Sequence, residues 1–227
     1  MTENQLDAVG IVLAQVNGEW VAQGSCFLFR SDVLALTAAH CVYTPRTGRN
    51  LPPGSLHFLI GYDGSRYAGH AIGIKLETGP GYDPIRPYQT RGSDWALISL
   101  DTKLGSADRV LPMISEPPEV GSTIMLGGYQ QDHPLVLMAD TECRIVGRAT
   151  DAGGRLLLRH NCTGTRGDSG APLLIEKGGK WYTGGLMWPP NSALPVGSPS
   201  SSTKLAAPLT LGPSHRYQID ISPASLR

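Results

Sequence analysis

Gly167-Asp168-Ser169-Gly170-Ala171-Pro172 is a turn sequence with a hydroxyl at its centre. On its own it is ordinary turn chemistry. Reading outward changes its meaning. Earlier in the chain stand Thr37-Ala38-Ala39-His40-Cys41 and Ser93-Asp94-Trp95-Ala96-Leu97. Each is also plain alone: the first reads as a buried stretch, the second as a strand start led by a turn residue. Together the three deliver His40, Asp94 and Ser169, the residue types of a serine-nucleophile triad. A serine hydroxyl is a poor nucleophile at neutral pH. It needs a base to take its proton, and the base needs a third group to hold its tautomer and orientation.

The surroundings of these segments are strands and turns. Helical periodicity is almost absent, while apolar runs of strand length recur between Gly, Pro and Asn signals. Ile11 to Val16 meets Asn17-Gly18, a hairpin dipeptide, and continues as Glu19 to Ala22. Ser25–Arg30, Val33–Thr37, Leu56–Ile60, Gly69–Leu76 and Trp95–Leu100 complete a first set. In Gly69–Leu76 the residues Ala71, Gly73 and Lys75 alternate with Ile72, Ile74 and Leu76. A Pro-containing stretch, 105–121, reads as a connector. A second set follows: Thr123–Leu126, Leu135–Ala139, Glu142–Arg148, Leu156–Arg159, Ala171–Glu176, Lys180–Trp188 and Lys204–Leu209. Two sets of about six strands predict an all-β fold of two antiparallel barrels. The expected division is 8–104 for the first, 122–212 for the second and 213–227 for a tail. Glu77–Ser93 and Pro189–Thr203 are long for plain connections. Loops of that length are surface excursions or contact a ligand.

Composition narrows the function. The 227 residues carry 19 Lys+Arg against 19 Asp+Glu, so no basic footprint for nucleic acid or an anionic membrane is present. No apolar run reaches the ~18 residues of a membrane span. A chain of this size is expected to form one compact unit, since all-β folds run to about 200–250 residues as one domain. Met1-Thr2-Glu3-Asn4-Gln5 has neither the basic nor the apolar region of a signal peptide. The protein is then cytoplasmic if Met1 is native, and secreted or periplasmic if Met1 stands on a trimmed form. Cys26, Cys41, Cys143 and Cys162 lack the spacing of a metal site. Two disulfides suit an oxidising compartment, and buried free thiols are the alternative. No metal or organic cofactor is implied. The expected partner is a polypeptide substrate, with no nucleic acid and no membrane, and a monomer is the default.

From about Val9 to Leu211 the chain resembles the chymotrypsin-fold (trypsin-like) serine proteases, the family behind the general description of the triad. The resemblance rests on the Ala-Ala-His-Cys, Asp-Trp-Ala-Leu and Gly-Asp-Ser-Gly-Ala-Pro segments. It implies Ser169 as nucleophile, His40 as general base and then acid, and Asp94 as the group that holds His40. It assigns the oxyanion hole to the N–H groups of Gly167 and Ser169. It also implies a disulfide between Cys41 and Cys26, with Cys143 and Cys162 as a second pair. That second placement looks closer to bacterial trypsin-like and glutamyl-endopeptidase-like members.

Counting back from the nucleophile puts Thr163 at the position where trypsins carry a pocket Asp. Met187 falls where glutamyl-specific members carry a His. With Trp188 and Arg166 these form the expected substrate-binding set, and a neutral residue is expected before the scissile bond. Pro189-Pro190 removes backbone N–H groups where the family pairs with substrate. The family's activation signal is missing near Val9, so Asp168 is expected to pair with an internal cation, Arg144 or Arg148. Two other readings accompany the protease: a non-catalytic or latent binding module on this fold, and the protease module of a larger intracellular regulatory or defence protein with one dedicated substrate.

Overall fold

Gly and Asn at tight turns fold the chain back on itself repeatedly. Asn17 and Gly18 both take positive φ (54° and 84°), and Gly178 and Gly179 do the same (62° and 76°). Those are the angles of two-residue hairpin turns whose twist matches that of the strands they join. The computed structural model describes residues 5–105, 109–133, 135–188 and 204–207. Its first half holds β1 (Val9–Val16), β2 (Glu19–Leu28), β3 (Leu34–Thr37), β4 (Tyr43–Thr44), β5 (Arg49–Asn50), β6 (Leu56–Ile60), β7 (Gly69–Thr78) and β8 (Ala96–Leu100). Its second half holds β9 (Thr123–Tyr129), β10 (Leu137–Thr150), β11 (Leu156–His160), β12 (Pro172–Lys177), β13 (Lys180–Met187) and β14 (Lys204–Ala207).

These strands close into two six-stranded barrels, as the sequence predicts. The first runs β1-β2-β3-β8-β7-β6 and the second β10-β11-β14-β13-β12-β9, while β4 and β5 form a small separate ribbon. Closure leaves neither sheet with an open edge. The helical turns of the described residues are short 3₁₀ segments, and none of its helices is long and apolar enough to cross a membrane.

The first barrel is filled by Phe27, Leu28, Leu36, Leu56, Phe58 and Ile98, each almost wholly buried. Side chains of this size contribute roughly 1.5–3 kcal/mol each on burial. The second is filled by Ile124, Leu126, Ile145, Leu158 and Leu173, beside the bridged Cys143 and Cys162. The connector is tied to both barrels. Leu111 pairs with Phe29 and Met113 with Thr183. β7 turns its small residues Ala71 and Gly73 inward and leaves Ile74 55% exposed. A Cβ at Gly73 would meet the Pro53 carbonyl oxygen at 2.7 Å, so the barrel wall there has room only for glycine.

One irregularity shapes the cleft. β2 pairs with β1 up to Val12↔Gly24 and resumes at Leu13↔Ala22, so Gln23 is an extra, unpaired residue. Such a bulge re-aims side chains, and Gln23 faces the cleft between the barrels.

Candidate active site

The first barrel contributes His40 and Asp94. β3 ends at Thr37 and runs into a 3₁₀ turn, Ala39–Val42, that carries His40. Asp94 follows the 3₁₀ turn Arg91–Ser93 and immediately precedes Trp95 and β8. β3 and β8 are neighbours, with Thr37 paired to Ala96, so strand register alone brings the two together. The His40 backbone N–H donates to Asp94 Oδ1 at 2.9 Å, and ring Nδ1 lies 2.7 Å from Oδ2.

Asp94 is fully buried. A buried carboxylate is tolerated only when paired and hydrogen-bonded. Here a third donor, Nε1–H of Trp188, reaches Oδ2 at 2.6 Å. An ionised carboxylate can only accept, so Nδ1 of His40 carries the proton and Nε2 is left as the basic nitrogen. Burial works against the charged imidazole. The adjoining Cys41 sulfur and the Asp94 carboxylate outweigh it and hold the His40 pKa well above the usual 6.5. Nε2 makes no hydrogen bond to a described residue; before substrate binds, such contacts are often long.

The second barrel contributes the Gly167–Pro172 loop, between β11 and β12. Its carbonyls and side chains are fastened on several sides. The N–H of Gln131 donates to Arg166 O at 2.6 Å, and that of Ser25 to Ser169 O at 2.8 Å. The Ser25 hydroxyl donates to Gly167 O at 2.8 Å and accepts the Tyr129 N–H at 2.8 Å. Asp168 Oδ2 accepts the Thr165 N–H at 2.9 Å. Among the described residues, the N–H groups of Asp168, Gly170 and Ala171 find carbonyl acceptors, while those of Gly167 and Ser169 donate to none. Gly167 has φ 99°, and a Cβ there would collide with the Tyr129 carbonyl. Only glycine fits this backbone.

A cleft of about 640 Å³ runs between the barrels, and His40, Arg166, Gly167, Ser169, Tyr88 and Trp188 all line it. Tyr88 comes from the long loop that ends at Ser93. That loop is internally bonded, with Asp83 Oδ2 2.7 Å from Arg86 Nε. The second barrel also holds it: Asp151 Oδ2 accepts the Gly92 N–H, and Arg155 donates to Pro80 O. Arg91 stacks over Trp188 at 4.4 Å and over Tyr88 at 4.8 Å. Pro189–Thr203 and Pro189-Pro190 lie outside the described residues.

Four sequence expectations change. Thr163 does not line the cleft; its hydroxyl and N–H are both 2.7 Å from Asp140 Oδ2 at the surface. Met187 is buried in the second core rather than presented to a substrate. Arg144 and Arg148 do not pair with Asp168; they donate to the carbonyls of Gly121 and Pro118. Finally, Cys143 is bridged to Cys162, but Cys26 and Cys41 are two buried free thiols. The residue facing Cys41 is Gly24, where a Cβ would lie 2.7 Å from Sγ. Burial raises the Cys26 thiol pKa far above its usual value, and the Cys41 sulfur points to Ser169 O at 3.7 Å. Ser25, Gln131, Tyr88 and Arg91 were not expected at the site. No spacing rule singles them out.

A family model described as a trypsin-like peptidase domain matches residues 24–181. Among solved structures, a thermostable serine protease, AL20, from an extremophilic microorganism superposes with a TM-score of 0.64. It shares 18% identity, and the match covers 89% of this chain and 91% of that one. At that identity the likeness speaks for the fold alone. No curated protein matches the sequence.

Proposed function

Because the chain belongs to the trypsin-like peptidase domain family, we propose that it is a serine endopeptidase acting through Ser169, His40 and Asp94. The observation that carries this reading is the meeting of parts in one cleft. A histidine locked by a buried carboxylate, a serine and two undonated N–H groups all open on the same space.

In the proposed reaction Ser169 Oγ attacks the scissile carbonyl carbon as its proton passes to His40 Nε2. The C=O bond becomes a C–O⁻ that accepts the N–H groups of Gly167 and Ser169. Stabilisation of this kind amounts to about 3–4 kcal/mol per donor. The C–N bond then breaks, and His40 returns the proton to the departing amine. Water, deprotonated by His40, attacks the acyl ester and releases Ser169. Asp94 stabilises the imidazolium in both halves without taking its proton.

A neutral residue before the scissile bond is part of this proposal, on new grounds. Among the described lining residues there is no carboxylate, and the one permanent charge is the exposed Arg166. A cationic side chain entering this cleft finds no counter-charge among those residues.

A serine-directed fluorophosphonate tests the chemistry. Wild type is expected to be labelled and Ser169→Ala not. Absence of Ser169-dependent labelling would favour a binding module on this fold. Peptide-library profiling tests the specificity, and a dominant Arg or Lys preference would sink the neutral pocket. A labelled enzyme that digests no general protein would point to one dedicated substrate.

A further inference from the structure

We infer that Trp188 is a positioning residue of the triad: its indole N–H fixes the Asp94 carboxylate independently of His40, so that a wall of the substrate cleft also holds the carboxylate that orients the histidine. This rests on the triad reading above and adds a residue to it.

The geometry is specific. Asp94 Oδ2 accepts two N–H donors, His40 Nδ1 at 2.7 Å and Trp188 Nε1 at 2.6 Å, while Oδ1 accepts the His40 backbone N–H at 2.9 Å. Two of the three donors belong to His40 itself. Without Trp188 the carboxylate would be anchored only by the group it is meant to orient. The indole supplies the independent fixed point, and it comes from the other barrel, 94 positions along the chain. Trp188 is 7% exposed and Asp94 wholly buried, so water does not readily replace the bond. Charge-assisted bonds of this kind are short and roughly twice as strong as neutral ones.

The indole is itself held. The Arg91 guanidinium lies 4.4 Å over its ring, and Tyr88 meets it edge-on at 5.2 Å. Arg91 stands three residues before Asp94 and its Nε makes no hydrogen bond to a described residue; its guanidinium lies over the rings of Trp188 and Tyr88. Met187, beside Trp188, is buried in the second core with no polar hydrogen to offer. The ionisable groups around the carboxylate are His40, Cys41, Tyr82 and Arg91. Burial and the nearby Asp94 charge push the Tyr82 phenol up, and burial lowers Arg91. Neither titrates near neutrality, and a limb matched by the pH dependence of the His40 ring resonances is assigned to His40.

The test is Trp188→Phe, which keeps an aromatic wall and deletes the N–H. The readout is the rate of fluorophosphonate labelling as a function of pH. His40 must be neutral to act, so the wild-type rate rises as pH climbs through its raised pKa. Removing the indole dipole leaves the Asp94 charge less compensated and strengthens its hold on imidazolium. The variant's acid limb is therefore expected at higher pH, with the limiting rate lower by about tenfold or more. A lower rate with an unmoved limb overturns the proposal and leaves Trp188 as cleft wall only.

A second measurement stands apart from activity and from variant folding. In ¹⁵N-labelled wild type, the Trp188 indole proton is expected downfield of those of Trp20, Trp95 and Trp181. It should be slow to exchange and shift with pH in step with His40. A fast-exchanging, pH-independent resonance overturns the hydrogen bond itself. Wild type that takes no label contradicts the protease reading, while the indole resonance still decides the bond.

Discussion

The two barrels order their halves of the cleft by different means. In the first, His40 and Asp94 ride on short turns joined to β3 and β8, and the pairing of those strands sets their meeting. In the second, the Gly167–Pro172 loop takes much of its shape from outside its own barrel. Ser25 on β2 holds both Ser169 O and Gly167 O. His40 and Asp94 thus meet within one barrel, with Trp188 added from the other, while the Gly167–Pro172 loop is shaped by docking. The second barrel alone carries a covalent staple, Cys143–Cys162, and that staple lies away from the cleft.

Three variants can break or sharpen this contrast. Asp94→Asn attacks the locally built half. It leaves His40 in the wrong tautomer, so labelling and peptide hydrolysis should fall about 10⁴-fold with circular dichroism unchanged. A loss below tenfold would mean that strand register, not the carboxylate, orients the ring. Replacing Cys143 and Cys162 by serine attacks the stapled half. The bridge spans 19 residues, and opening a loop of that size costs about 3 kcal/mol. In a chain of this length that lowers Tm by roughly 6–12 °C, while labelling at 25 °C should hold. Ser25→Ala attacks the docking between them. It strands a buried carbonyl and a buried N–H, at a cost of about 1–3 kcal/mol, and here stability and labelling should fall together. Unchanged labelling would show that the loop keeps its shape without the first barrel.

Much of this was open to reading from the sequence, and the failures have physical causes. Strand runs and paired turn glycines signal the barrels, because alternation and positive φ are local properties. His40, Asp94 and Ser169 announce themselves through their neighbours. The Cys26–Cys41 bond is misjudged because two buried cysteines read alike in sequence whether bridged or free, and here both are free thiols. Thr163 was misplaced because counting back from Ser169 assumes a loop of fixed course. In this chain Asp140 pulls Thr163 outward. The bond from Trp188 to Asp94 joins residues in different barrels and has no periodic trace.

The Ser25 hydroxyl has a consequence for the newborn chain. Ser25 and Gly167 are 142 residues apart. At about 5–20 residues per second, synthesis separates them by on the order of ten seconds. During that interval the emerging protein holds β2 and His40 but no serine loop. Once the loop is made, its bonds to Ser25 can form. In the proposed mechanism both parts are needed to cut, so active-site labelling reports completed assembly of the two barrels.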